Sequence, residues 1–207
     1  VAVALGWLAR RGGMAGRRAV ADVAGVAGGL KLPNEVLAQE RTDDPGVPWL
    51  KISGILCEMV PGDVLVGGAG LVGGAGLVVI GAGVNIDQSR SELPVETATS
   101  LALCGAVDVR REDVIVRYLG VLAELYETWA GGGAGLEALR TAYRSACLTI
   151  GRDVDVHQPG GVVAQGTATG VDDRGRLVVE APGSHTAHAA GDVTHVRRSQ
   201  PSQGHTA

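Results

Sequence analysis

Hydrophobic and polar positions change period several times along the chain. Residues 2–27 are rich in Ala and Val, with Arg10, Arg11, Arg17 and Arg18 among them and Val20, Val23 and Ala24 at helical spacing. The pattern predicts a helix broken at Gly12-Gly13 and ending near Gly25 to Gly29, with its arginines on exposed faces and a sheet beneath it. Gly29 to Leu32 reads as a short strand, because Pro33 holds the residue before it extended. Asn34 and Glu35 then occupy a turn, and Val36-Leu37-Ala38 resumes as strand. A polar loop over 40–48 leads into a strand from Trp49 to Val60, where Lys51, Ser53 and Glu58 interrupt apolar neighbours. Leu77 to Ile80, branched and uncharged, predicts a buried strand.

Residues 88–96 read as a polar loop and Thr97 to Leu103 as a short element. Ile115, Tyr118, Leu119, Leu122, Leu125, Tyr126 and Trp129 recur at steps of three and four, the clearest amphipathic helix in the chain, with the aromatics read as core packing. Gly131 to Gly135 break it, and Leu136 to Tyr143 predict a shorter helix. From Gly151 the helical period disappears. Short strands with turns follow, including a hairpin signal at Asp172-Asp173-Arg174-Gly175, and they predict a small β-barrel. Ser199 to Ala207 read as a disordered tail.

Composition narrows the classes. The chain has 207 residues, 45% hydrophobic and 19% charged, with aromatics at 3% and no Phe, so its core is aliphatic. A net charge of −4 gives no broad electrostatic case for nucleic acid. Cys57, Cys104 and Cys147 are widely spaced without a CxxC, which favours three small buried hydrophobes in a reducing cytoplasm over a disulfide framework or zinc site. The uncharged run between Asp63 and Asp87 is long enough for a membrane span, but its eight glycines read better as β structure with loops. Within it GGAGLV repeats at once, Gly67 to Val72 and Gly73 to Val78, as a local duplication extending a hairpin or loop. The absence of Met at position 1 predicts a non-standard start or a fragment.

Residue usage points to one region. The chain's two lysines, Lys31 and Lys51, and its two asparagines, Asn34 and Asn85, all fall between positions 31 and 85. Lys31, Lys51, Asn34, Glu35 and Asn85 would suit the joining of a carboxylate to ATP. Ammonium groups neutralise the two anions that must meet, and Asn and carboxylate oxygens suit a magnesium ion. The same residues also fit a pair of surface lysines beside a proline turn. A second candidate, Gly68-Ala69-Gly70-Leu71-Val72-Gly73, matches GxGxxG, yet the residues after it are poor helix formers and the match arises from the duplication. His185 and His188 lack a third metal ligand at standard spacing and read as a solvated pair.

KLPNEVL, KISGILCE, VVIGAGVNID and ATSLALCG, in that order, resemble the KWPND turn, KxxGIL strand, GxGxN strand and ATSL element of the biotin protein ligases. GRDVDV, GVDDRGRLVV and AAGDVTHVR resemble that family's C-terminal domain, so the likeness covers most of residues 5–198. It implies an α+β fold: a partial mixed β-sheet catalytic domain covered by helices over 1–148, then a small SH3-like β-barrel over 149–198 and the tail over 199–207. It implies activation of biotin with ATP and Mg2+ to biotinyl-5′-adenylate, and transfer to a lysine on the biotin carboxyl carrier domain of acetyl-CoA carboxylase or a related enzyme.

Carried over by motif, Lys51 is the catalytic residue, contacting biotin and the mixed anhydride. Lys31, Gly54, Ile55, Gly81 and Gly83 complete the biotin and adenylate site. Asn34, Glu35 and Asn85 belong to the nucleotide and metal region, with Glu35 and Asn85 as magnesium ligands. The chain departs from the family pattern at Leu32, where the family has Trp, and at Glu35, where it has Asp. The loop from Glu35 to Lys51 is longer than is usual, and a GRGRxxR adenylate-binding loop does not occur, which predicts less than full activity. An unpaired sheet edge invites a homodimer. Two other readings stay open: an inactive remnant or carrier-binding module, and a dinucleotide-binding oxidoreductase.

Overall fold

The computed structural model describes residues 2–44, 46–60, 64–65, 71–72, 77–158, 160–189 and 192–195. Most of the GGAGLV repeat and of the GxGxxG match, and all of the 199–207 tail, lie outside them. A helix, α1 (Ala2–Ala24), precedes four antiparallel strands in the order β1 (Gly28–Lys31), β2 (Glu35–Ala38), β3 (Leu50–Val60), β6 (Leu77–Val84). Two short strands, β4 (Val64–Leu65) and β5 (Leu71–Val72), pair with each other. Among the described residues the ladders are antiparallel, and the parallel component is two isolated bridges, Leu30 with Cys147 and Lys51 with Ala98. β6, a strand rather than a helix, follows the glycine run, against the requirement of a dinucleotide fingerprint.

α1 covers one face of this sheet without a break at Gly12-Gly13. Gly12 serves close approach instead: a Cβ there would lie 2.9 Å from Ile55 Cγ2 and 3.3 Å from the Tyr118 hydroxyl. Contrary to expectation, Arg10 and Arg11 are buried, while Arg17 and Arg18 are half-buried. Arg11 stacks over Trp129 with its guanidinium carbon 4.0 Å from the ring centroid, and its Nε donates to the Trp7 carbonyl. Cation–π stacking against Trp129 thus places a charge where periodicity alone predicts solvent.

Two further expectations need correction. Strand β6 is not buried: Leu77 and Val79 are 42% and 47% exposed, because β6 is the sheet's edge and only its α1 side is covered. Helix α2 (Arg111–Ala130) forms as expected, but its buried residues are Val114, Val121 and Leu125, while Ile115, Leu119 and Tyr126 are exposed. The helix packs on α1 through one narrow face, so the wide apolar stripe is only partly used. α3 (Gly133–Ala146) follows, longer than the sequence suggests. Of the cysteines only Cys147 is buried, and all three are free.

A second sheet follows: β7 (Asp153–His157), β8 (Val163–Val171), β9 (Leu177–Ala181), β10 (Ser184–His188) and β11 (Asp192–His195), in the order β10-β9-β8-β7-β11. β11 returns to pair with β7, giving the curl of an SH3-like unit, and no β10–β11 ladder forms among the described residues. The hairpin at Asp172 is present: Asp172 Oδ1 accepts from the backbone N–H groups of Arg174 and Arg176, both at 2.9 Å.

This hairpin docks on α1. Trp7 Nε1 donates to the Asp173 carbonyl at 3.0 Å. Arg10 donates both to the Gly175 carbonyl at 3.0 Å and to the Pro33 carbonyl. A single core runs through both parts, including Trp7, Val36, Ile52, Val121, Val154 and Val193. No helix of the described residues is long and apolar enough to cross a membrane.

Candidate active site

The β1–β2 hairpin brings Lys31 and Glu35 into register across the Leu32-Pro33-Asn34 turn, whose Leu32–Pro33 peptide is cis. Glu35 in turn lies opposite Gly54 on β3. Lys51, three residues before Gly54, lays its side chain over that glycine: a Cβ there would be 3.2 Å from Lys51 Cε. The result is one carboxylate between two ammonium groups, with Lys31 Nζ at 2.7 Å from Glu35 Oε2 and Lys51 Nζ at 2.8 Å from Oε1. Burial alone would raise the Glu35 carboxyl, but the hydrogen bonds from Lys31 and Lys51 outweigh it and hold the group below the usual carboxylate range.

The neighbouring motif residues build the frame. Asn34 is pinned to β3 twice, its amide donating to the Ile55 carbonyl at 2.6 Å and its carbonyl accepting from Ile55 N–H at 2.9 Å. Asn85 closes β6: its N–H donates to Ile52 and its side-chain amide to the Thr99 carbonyl, both at 2.9 Å. Residues 97–99 flank Lys51, whose N–H donates to Thr97 and whose carbonyl accepts from Thr99, both at 2.8 Å. The Ile55 side chain points into the core under α1. Gly81 is exposed, with only the Leu56 carbonyl within 4 Å of an added Cβ, and Gly83 is exposed with nothing that near.

Lys31, Glu35 and Lys51 open onto a cleft of about 940 Å3. Leu37, Pro48, Trp49 and Thr97 share their wall. The opposite wall belongs to the second sheet and its approach: Leu148, Gly151, Arg152, Asp153 and the β11 residues Asp192 to His195. Asn34, Gly54, Ile55, Gly81, Gly83 and Asn85 do not line it. Sequence reasoning missed the far wall, for which no local pattern exists, and also Trp49, which immediately precedes β3. His195 is pulled down to about 4, by burial first and then by the positive charges of Lys31 and Arg152, with Glu35 opposing. Its ring is therefore neutral at physiological pH. Apolar Trp49, Leu37 and Val193 beside cationic Lys31, Lys51 and Arg152 suit a ligand with an apolar body and an anionic end.

A resident magnesium ion does not fit the expected residues. Both Glu35 oxygens are engaged by ammonium groups, and the Asn85 amide donates to Thr99. Among the described residues no cluster of three His, Cys, Asp or Glu could hold a metal, and this includes His185 and His188.

Residues 149–196 match the biotin protein ligase C-terminal domain family. The chain is 34% identical over 197 residues to a biotin–[acetyl-CoA-carboxylase] ligase of Mycobacterium tuberculosis, covering 94% of this chain and 64% of that protein. It is 27% identical over 164 residues to the bifunctional ligase/repressor BirA of Bacillus subtilis, covering 78% of this chain and 44% of that one. The chain thus spans less than two thirds of these relatives' length. In structure it superposes on the Aquifex aeolicus biotin protein ligase in complex with biotin and ATP, with a TM-score of 0.68 at 22% identity, over 93% of this chain and 72% of that one. Fold and cleft together define an α+β arrangement, a helix-covered antiparallel sheet facing an SH3-like C-terminal unit, and it superposes on the fold of that biotin protein ligase. The C-terminal domain match and the 34% identity make the chain similar to biotin protein ligases over most of its length.

Proposed function

We propose that the chain serves the ATP-dependent activation of biotin to biotinyl-5′-adenylate and its transfer to a lysine of a biotin carboxyl carrier protein. The observation that carries this reading is the Lys31–Glu35–Lys51 cluster at the edge of a cleft whose other wall is the C-terminal domain. A carboxylate oxygen of biotin attacks the α-phosphorus of ATP and pyrophosphate departs. The carrier lysine's amine then attacks the activated carbonyl and AMP departs.

Lys51 is the catalytic residue in this reading. Its ammonium, 44% exposed in its side chain, is free to turn from Glu35 toward the incoming carboxylate and the anhydride oxygens. Lys31 supplies the second positive charge. Gly54 leaves room for the Lys51 stem, and Gly81 and Gly83 leave an open strand surface for a ligand. Ile55 and Asn34 act through the backbone bonds that hold the turn, and Asn85 through the segment that flanks Lys51. Magnesium enters with ATP as part of the substrate, since Glu35 is already paired.

The domain division 1–148 and 149–198, a cytoplasmic setting with three free cysteines, and a carrier domain from acetyl-CoA carboxylase or a related enzyme belong to this reading. So does a homodimer through the open β6 edge. The test is biotin-dependent exchange of pyrophosphate into ATP. Lys51→Ala is expected to lower it by roughly 10²-fold or more. A folded wild-type chain that shows no exchange but binds a carrier domain would leave the carrier-binding module as the function.

A further inference from the structure

We propose that His195 is a positioning residue, fixing the turn that carries Lys31 and Glu35 through a relay of hydrogen bonds by way of Thr149. Leu32 N–H donates to Thr149 Oγ1 at 3.1 Å. Thr149 Oγ1 lies 3.1 Å from His195 Nε2. Thr149 is fully buried, so its own hydroxyl proton needs an acceptor. The ring nitrogen is that acceptor: Oγ1 receives Leu32 and donates to Nε2, which puts the ring's proton on Nδ1. A protonated ring would carry a donor at Nε2 and leave the Thr149 hydroxyl proton without the ring as its acceptor. The charges facing it are Lys31 from β1, Glu35 from β2 and Arg152 from the loop before β7, with Asp153 on β7 and Asp192 on its own strand along the same cleft.

The relay matters because the Leu32 amide is the peptide unit that leaves Lys31. Rotating that unit shifts the Lys31 stem, and Lys31 holds Glu35, which in turn holds Lys51. Displacements of about 1 Å at such groups can cost roughly 10²-fold in rate. The last strand of the C-terminal domain thus sets the placement of the ammonium pair on the opposite wall. The catalytic consequence rests on the adenylation reading above, whereas the relay itself does not.

Hydrogen exchange at the Leu32 amide tests the relay in the full chain, with β9 amides as an internal control of folding. His195→Leu and Thr149→Val are expected to speed Leu32 exchange about tenfold relative to β9, and His195→Gln, which keeps an acceptor near the Nε2 position, by less than about twofold. In pyrophosphate exchange His195→Leu is expected to lower kcat about tenfold with the KM for biotin within about threefold, and His195→Gln to restore it. A role confined to stability would leave kcat of the folded fraction unchanged and would not be rescued by Gln. Unaltered Leu32 protection in His195→Leu, or equal defects in the Leu and Gln variants, would overturn the proposal. A wild type without exchange activity whose Leu32 amide responds as described would sink the adenylation reading and leave the relay standing.

Discussion

Gly6 offers a substitution whose sign is decided by the seating of the C-terminal hairpin on α1. An alanine in a helix interior normally stabilises by about 1 kcal/mol over glycine. At Gly6, however, the added Cβ would lie 2.4 Å from the Arg174 carbonyl oxygen, where real Cβ atoms essentially never come within 3.0 Å, so at least 0.6 Å of movement is required. The obstacle is backbone, and the next residue, Gly175, has φ +77° and itself touches Gly6. The turn is further tethered by Trp7 and Arg10. Overpacking of this kind costs about 1–3 kcal/mol, which exceeds the helical gain. Gly6→Ala should therefore lose about 1 kcal/mol net and melt about 2–4 °C lower by calorimetry. Gly120→Ala in α2, with nothing within 4 Å of the new methyl, should instead gain about 0.5–1 kcal/mol. A Gly6→Ala protein that melts as high as Gly120→Ala would refute the docking of the hairpin on α1.

Three further outcomes follow from the same structure. Leu32 is fully buried where the family pattern has Trp, so Leu32→Trp should destabilise by about 1–3 kcal/mol in urea titration, and a gain would show an unfilled space beside the turn. Glu35 has a depressed folded pKa, so its contribution is present above the unfolded value and is lost as pH falls through the folded one. Glu35→Gln should be less stable than wild type at neutral pH, and the difference should shrink in acid below about pH 4. His195, whose folded pKa is pulled to about 4, leaves the unfolded chain binding an extra proton between that value and the ordinary 6.5. Wild-type stability should then fall across that window as pH drops, and His195→Gln should fall less; equal slopes would count against a neutral, half-buried ring.

The hairpin strands and the Lys31–Glu35–Lys51 cluster were legible because each rests on local chemistry. Pro33 sets a turn, Lys31 and Glu35 flank it, and strand pairing sets Glu35 opposite Gly54, over which Lys51 lies. The burial of Arg10 and Arg11 was not legible, since their partners are Trp129, Pro33 and Gly175, distant in sequence. The same holds for the far wall of the cleft: nothing in THVRR marks His195 until β11 is laid beside Thr149. Strand β6 misled through composition, because branched residues favour a strand equally at an edge and in a core. In α2 the apolar stripe spans more of the circumference than α1 can cover, and periodicity alone cannot say which part will be left out.

The docking of α1 also bears on how the chain is made. Trp7 and its acceptor Asp173 are 166 residues apart, and Arg10 and Gly175 are 165 apart. At about 5–20 residues per second of synthesis, the gap between their emergence is on the order of 10–30 s. Throughout that interval the Trp7 ring and the arginine side chains lack the hairpin contacts that hold them in the native state. Long-range closure of this kind makes folding slow and leaves early segments open to chaperones and proteases. A ribosome stall before residue 175 would leave a nascent chain whose α1 lacks the hairpin, so this contact also reports that translation has passed the Asp172 turn.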